Sequence, residues 1–193
     1  MHFRERAIVF FNERKQCTRA KILFAFLGIR AEQVQGDMSQ EERLKAIKKF
    51  QDGEIDFLLT TDLLARGLDI NSVKVVINFS YPVEPRRYVH RVGRTARAGA
   101  SGVALTICND EERKEVKKLS RKLNFGVTTF SLNKKHVQKY VELIQTLEEP
   151  AQEILEEILE DKEAYKAHVE AQKAENMLKY RKEIDSRPKK EWF

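Results

Sequence analysis

Residues Tyr88 to Gly99 read YVHRVGRTARAG and carry the strongest chemical signal in the chain. Arginine occurs at 86, 87, 91, 94 and 97, and no Asp or Glu lies between Pro85 and Asn109. A solvated charged face mixes both signs, so a one-signed cluster calls for an anion. Guanidinium groups stay charged at any working pH and match phosphate oxygens in plane and spacing. Arg94 and Arg97 follow Gly93, where the backbone can turn tightly. Beside a terminal phosphate, such a pair would stabilise charge that develops as the phosphoryl group transfers. A plain basic surface patch is the competing reading.

Two further segments bear polar groups at the ends of apolar runs. Leu58 to Ile70 reads LLTTDLLARGLDI. Thr60 and Thr61 offer hydroxyl and backbone N–H groups suited to a sugar-phosphate chain. Asp69 could accept from a ribose hydroxyl. The alternative is a strand-to-turn connection with Asp62 capping a helix. Gly36 to Arg43 reads GDMSQEER. Gln40 and Arg43 fall in the first turn of a helix, where backbone N–H groups attract anions; an ordinary capped amphipathic helix has the same pattern.

The elements that must hold these segments alternate. Strands are expected over Arg6–Phe11, Arg30–Val34, Asp56–Thr60, Val73–Phe79 and Val103–Cys108, with a last short one at Val127–Phe130. Helices are expected over Arg14–Leu27, from Ser39 to Gly53, over Pro85–Val92, from Asn109 to about Leu123, and from about Lys134 to Leu147. Asn12 is expected to cap the first helix, and Leu44, Ile47 and Phe50 to form the buried side of the second. Strands apolar on both faces, separated by helices, predict an α/β fold with a parallel sheet and helices on each side. Ligands then sit outside the carboxyl ends of the strands.

Length and charge bound the rest. The chain has 193 residues, 41% hydrophobic and 34% charged, enough for one domain with an appendage. No apolar run is long enough for a membrane span, and no charged-then-apolar leader opens the chain. Met1 stands so close to the first strand that a trimmed piece of a longer protein is expected. Cys17 and Cys108 lack the spacing of a zinc site, so no metal site is expected and both are read as reduced thiols. The net charge of +6 is by itself weak evidence for a nucleic-acid partner. After Pro150 glycine disappears. Ala151, Ile154, Leu155, Ile158 and Leu159 form a narrow apolar stripe in a charged helix that is acidic over 153–163 and basic over 179–190. The stripe would be its packed side; a solvated helix is the alternative. Residues 1–149 and 150–193 are therefore read as domain and extension.

In order and spacing these segments resemble the C-terminal half of DEAD-box RNA helicases, over about residues 6 to 147. Ala7 to Asn12 is similar to motif IV, Gln40 and Arg43 to the QxxR motif, Thr60 to Asp62 and Arg66 to Asp69 to motif V, and His90 to Arg97 to motif VI. The resemblance implies a RecA-like fold and an ATP-dependent, RNA-stimulated enzyme. It implies that Arg94 and Arg97 are arginine fingers, and that His90 faces the DEAD-motif side of the interdomain cleft. Gly67 and Asp69 would touch the ribose of ATP. Asn12, Gly36, Gln40, Arg43 and Thr61 would contact the RNA backbone. On its own, His90 would be read as a satisfied core histidine. ATP and Mg2+ would be held mainly by an N-terminal RecA-like domain, because this sequence has neither GxxxxGK[ST] nor DEAD. The fragment alone is therefore expected to be inactive.

The charged helix and the ending SRPKKEWF, residues 186–193, resemble nucleolar DEAD-box helicases of large ribosomal subunit assembly. That implies a nuclear, nucleolar location and pre-ribosomal protein partners. Trp192 and Phe193 are costly to leave in water and are expected to anchor on the domain or on a partner. A non-catalytic RNA or protein scaffold and half of a DNA helicase are the competing functions.

Overall fold

A computed structural model of the chain describes residues 5–62, 73–82, 84–96 and 101–181. The elements alternate as β1 (Ala7–Phe11), α1 (Arg14–Phe26), β2 (Ala31–Val34), α2 (Gln40–Asp52), β3 (Phe57–Thr61), β4 (Val75–Asn78), α3 (Pro85–Val92), β5 (Val103–Thr106), α4 (Asp110–Leu123) and α5 (Lys134–Lys179). All five strands are parallel, in the order β2-β3-β1-β4-β5. The expected parallel α/β sheet is present.

Central β1 is buried at every position because both its faces are covered. Side chains alternate along a strand, so Ile8 and Phe10 join a core with Ala46, Ile47 and Phe50 of α2. Val9 and Phe11 join the opposite core with Cys17, Ala20 and Phe24 of α1. The path from β1 to β2 crosses the sheet one way and the path from β2 to β3 returns. Right-handed crossovers therefore put α1 and α2 on opposite faces. At the sheet edge Glu32 of β2 joins the two layers, accepting from Lys21 of α1 at 2.8 Å and Lys49 of α2 at 3.1 Å. Burial pushes the Glu32 carboxyl up, but the two lysines outweigh it and hold it below its ordinary value.

Local chemistry sets the helix ends. Ser39 accepts from Glu42 N–H and the Glu42 carboxylate accepts from Ser39 N–H, a full capping box. Asn109 and Glu112 repeat it on α4. Gly53 closes α2 at φ +79°, where a side chain is disfavoured.

Four expectations fail. The side chain of Asn12 does not cap α1, whose N-cap is Glu13 with no side-chain cap bond; Asn12 is committed elsewhere, as described below. Leu44 is 57% exposed, because Ala46 takes the inward position beside Ile47 and Phe50. Val127–Phe130 is not a strand, and Val127 and Phe130 are both exposed. Pro150 lies inside α5 rather than ending a helix near Leu147. Proline removes one backbone donor at an interior site, and buried Ala151 beside it favours the helical path.

The chain divides into two compact units, Met1–Ala151 and Gln152–Phe193. In the second, Leu155 is buried and Ile154, Ile158 and Leu159 are partly buried, whereas Tyr165 and Leu178 are exposed. Trp192 and Phe193 lie outside the described residues. No described helix is long and apolar enough to cross a membrane.

Two outcomes test this packing. A Cβ on Gly102 would lie 1.9 Å from Thr95 Oγ1 and 2.8 Å from Ala96 N. Gly102→Ala should therefore cost about 1–3 kcal/mol in urea unfolding, as overpacking does. Glu32 has a depressed folded pKa, so its bridge stabilises fully above the unfolded carboxylate value and is lost as pH falls through the lower folded value. Glu32→Gln should flatten the acid side of the stability profile.

Candidate functional site

The carboxyl ends of β1, β2, β3 and β4 lie along one edge of the sheet. β1 and β4 are the neighbours whose onward connections leave in opposite directions, which is where open α/β sheets form a crevice. Asn12 follows β1 there, Gly36 follows β2, Thr61 ends β3, and Ser80 and Tyr81 follow β4.

One buried side chain ties this edge together. Arg91 of α3 is fully buried. Its Nε donates to Asp62 Oδ1 at 2.6 Å and its Nη2 to Asp62 Oδ2 at 2.7 Å. Nη2 also donates to Asn12 Oδ1 at 2.8 Å, and Nη1 to the Ser80 carbonyl at 2.7 Å. The guanidinium lies 5.4 Å from the centroid of the Phe10 ring, close enough for a cation–π contribution. Loops after three strands thus converge on one cation. The amide of Asn12 also donates, from Nδ2 to the Tyr81 carbonyl at 2.8 Å.

This corrects one reading. Asp62 is the carboxylate partner of Arg91. The arginine cluster is not uniformly short of anions. Arg91 has Asp62, and Arg87 reaches Glu84 at 2.9 Å and Asp62 at 3.6 Å. The sequence window that lacks acids begins at Pro85, just beyond Glu84 and far along the chain from Asp62.

The remaining candidates fall into two groups. Gly36, Gln40, Arg43 and Thr61 lie at the ends of the neighbouring strands β2 and β3 and the start of α2. Gln40 is exposed, and Arg43 Nη2 donates to the Gly36 carbonyl at 2.7 Å. Arg43 Nε and Thr61 Oγ1 are buried without a hydrogen-bond partner among the described residues. The Thr60 hydroxyl, by contrast, donates to the Val34 carbonyl at 2.9 Å and belongs to the sheet.

Arg94 lies elsewhere. Its carbonyl accepts from Val73 N–H at 3.1 Å, and Thr95 bridges Val73. Val73 precedes β4, so this is the amino end of that strand. An eight-residue helix spans about 12 Å, and four strand residues span about 13 Å. α3 therefore carries the chain back along the whole strand. Expecting every site loop at the carboxyl edge was wrong for Arg94. His90, in the last turn of α3, is exposed and so is not a core histidine. Gly67, Asp69 and Arg97 lie outside the described residues. Among the described residues no cluster of three His, Cys, Asp or Glu side chains could hold a metal ion.

Sequence reasoning missed Asp62 and Arg91 as partners. Both stood in recognised segments, but their pairing spans 29 residues and has no local signature. Removing one member of a buried ion pair leaves the other uncompensated. Asp62→Asn or Arg91→Gln should therefore lower unfolding stability by about 3–5 kcal/mol. Wild-type stability for either variant would show that the pair contributes nothing.

The family model described as "Helicase conserved C-terminal domain" matches residues 1–99. DEAD-box ATP-dependent RNA helicase 28 of Oryza sativa subsp. japonica is 41% identical over 191 residues, covering 99% of this chain and 24% of the relative. ATP-dependent RNA helicase drs1 of Aspergillus terreus is 42% identical over 191 residues, covering 97% of this chain and 23% of the relative. The chain thus spans about a quarter of the length of the curated relatives it matches. A structure of S. cerevisiae Dbp5 bound to RNA and ADP BeF3 aligns with a TM-score of 0.60 and 27% identity, over 72% of this chain and 38% of that one. With a five-stranded parallel sheet that fits the RecA-like pattern, this chain belongs to the helicase conserved C-terminal domain family, as a DEAD-box member.

Proposed function

We propose that this chain is the second lobe of an ATP-dependent RNA helicase. In this reading the carboxyl edge holds the RNA backbone, and the end of α3 meets ATP carried by an N-terminal RecA-like lobe. The observation that carries it is that Thr61 Oγ1 and Arg43 Nε, at that edge and beside exposed Gln40, are buried without a hydrogen-bond partner among the described residues. Buried polar atoms normally have partners, so these mark where a polar ligand belongs. Thr61, Gly36, Gln40 and Arg43 offer hydroxyl, backbone, amide and guanidinium groups to phosphate and sugar, which implies little sequence preference. Asn12 contributes differently. Its amide holds Arg91 and Tyr81 and so aligns the edge, while its exposed side chain keeps a second N–H and a second lone pair to offer RNA.

ATP fits the arginine side of this arrangement. Arg94 and Arg97 would stabilise charge on the transferring phosphoryl group, Gly67 and Asp69 would meet the ribose, and His90, exposed on α3, would face the other lobe. The 193 residues include neither a phosphate loop nor a DEAD motif. Mg2+, which would neutralise phosphate charge, is assigned to the other lobe with the triphosphate. RNA and ATP bound across the cleft would draw the lobes together and bend one strand, and product release would reopen them.

The kinship with drs1 and the charged helix ending in SRPKKEWF support a role in ribosome biogenesis, a nucleolar location and pre-ribosomal partners reached through the extension. A tagged full-length protein should concentrate in nucleoli; an evenly cytoplasmic distribution would contradict this.

The activity itself is tested on the full-length protein. ATPase should rise with single-stranded RNA, and Arg94→Ala should lower kcat by a factor of about 10³–10⁵. This chain alone should hydrolyse no ATP. RNA stimulation left intact by Arg94→Ala, or ATPase by the chain alone that Arg94→Ala abolishes, would overturn the assignment.

A further inference from the structure

Gln35 stands just beyond β2, immediately before Gly36, and is 1% exposed. Its Nε2 donates to Thr18 Oγ1 and Gln33 Oε1, each at 3.0 Å, and to the Arg14 carbonyl at 3.2 Å. The buried Thr18 hydroxyl donates onward to the same Arg14 carbonyl at 3.2 Å. Arg14 opens α1 and Thr18 lies one turn further along it. The backbone of Gln35 closes a turn with Met38. Met38 N–H donates to the Gln35 carbonyl at 3.3 Å, and Gln35 N–H donates to Met38 Sδ at 3.2 Å. Within that turn the Gly36 carbonyl accepts from Arg43 of α2. The loop after β2 is thus braced by α1 from one face of the sheet and by α2 from the other.

Stability does not explain a glutamine here. Val34 pairs with Thr60, so Gln35 and Thr61 come next along neighbouring strands, on the α1 face. Below them that face is built from Val9, Phe11, Cys17 and Leu59. Gln35 Oε1, like Thr61 Oγ1, is buried with no hydrogen-bond partner among the described residues. An unpaired buried acceptor is destabilising, and an apolar side chain of similar shape would avoid it. Departures of this kind from the best-packed sequence gather where function needs a fixed geometry.

We propose that Gln35 is a positioning residue for RNA. Its amide locks the Gly36 turn to the first turn of α1, so that Gly36, Thr61, Gln40 and Arg43 meet the RNA backbone in one fixed arrangement. A loop ordered in advance loses less freedom when the strand binds. Gln35 acts through these neighbours and does not itself touch RNA.

This inference rests on the reading that the carboxyl edge binds RNA, and the experiment separates the two. RNA-stimulated ATPase is measured on the full-length protein, with urea unfolding of each variant. Gln35→Met keeps the reach of the side chain and removes the amide. Thr18→Val removes the hydroxyl that receives it, and Thr18→Ser keeps that hydroxyl. Gln35→Met and Thr18→Val should each raise the RNA concentration for half-maximal stimulation about three- to tenfold, the effect of one neutral hydrogen bond. The kcat at saturating RNA and the KM for ATP should not change. The double variant should show less than the product of the two effects, because both changes cut one hydrogen-bonded chain. Thr18→Ser should behave as wild type. Lower urea stability with an unchanged RNA requirement would make Gln35 a packing residue and overturn the proposal. An equal rise in the KM for ATP, or independent effects in the double variant, would overturn it too. Each of these outcomes leaves the RNA edge standing, whereas a wild type that RNA does not stimulate overturns the edge reading and this inference with it.

Discussion

A fully buried guanidinium is a constraint that the sheet's working edge cannot evade. Arg91 brings a permanent charge into an interior that can hold it only with near-complete hydrogen bonding. Asp62, Asn12 and the Ser80 carbonyl supply that, and each stands just beyond a different strand. The loops after β1, β3 and β4 are therefore held in register with one another and with α3. A shift in any one of them would strip a partner from a charge that has no water to replace it. The Phe10 ring beneath the guanidinium extends the constraint into the core below.

In the proposed function two kinds of site share this one small domain. The edge formed by β2, β3 and the start of α2 presents hydroxyl, amide and guanidinium groups beside a helix N-terminus. Three residues beyond Arg91, α3 has already returned to the amino end of β4, where Thr95 Oγ1 donates to the Val73 carbonyl at 2.6 Å and Gly102 packs against Thr95. The last turn of one helix thus joins the edge network through Arg91, and Arg94 follows just beyond its end.

Much of this was legible in the residues themselves. The continuous apolar run of β1 announced a strand covered on both faces, and the two capping boxes placed the starts of α2 and α4. The resemblance to motifs IV to VI singled out the segments that the proposed function uses. What escaped was non-local. Nothing near Asn12 reveals that its amide is taken by Arg91 and Tyr81, so a capping role looked natural. Nothing near Leu44 tells that Ala46 takes the inward place. Pro150 is the commonest kind of helix breaker, yet burial of Ala151 beside it favours continuation. The position of Arg94 required adding the length of α3 to that of β4, which a motif does not do.

Amide hydrogen exchange on the full-length protein tests the division of labour most directly. RNA alone should slow exchange over residues 36–43 and at Thr61 and Asp62, and a non-hydrolysable ATP analogue alone should slow it over 93–96. Protection of 93–96 by RNA with the carboxyl edge unchanged would contradict the account.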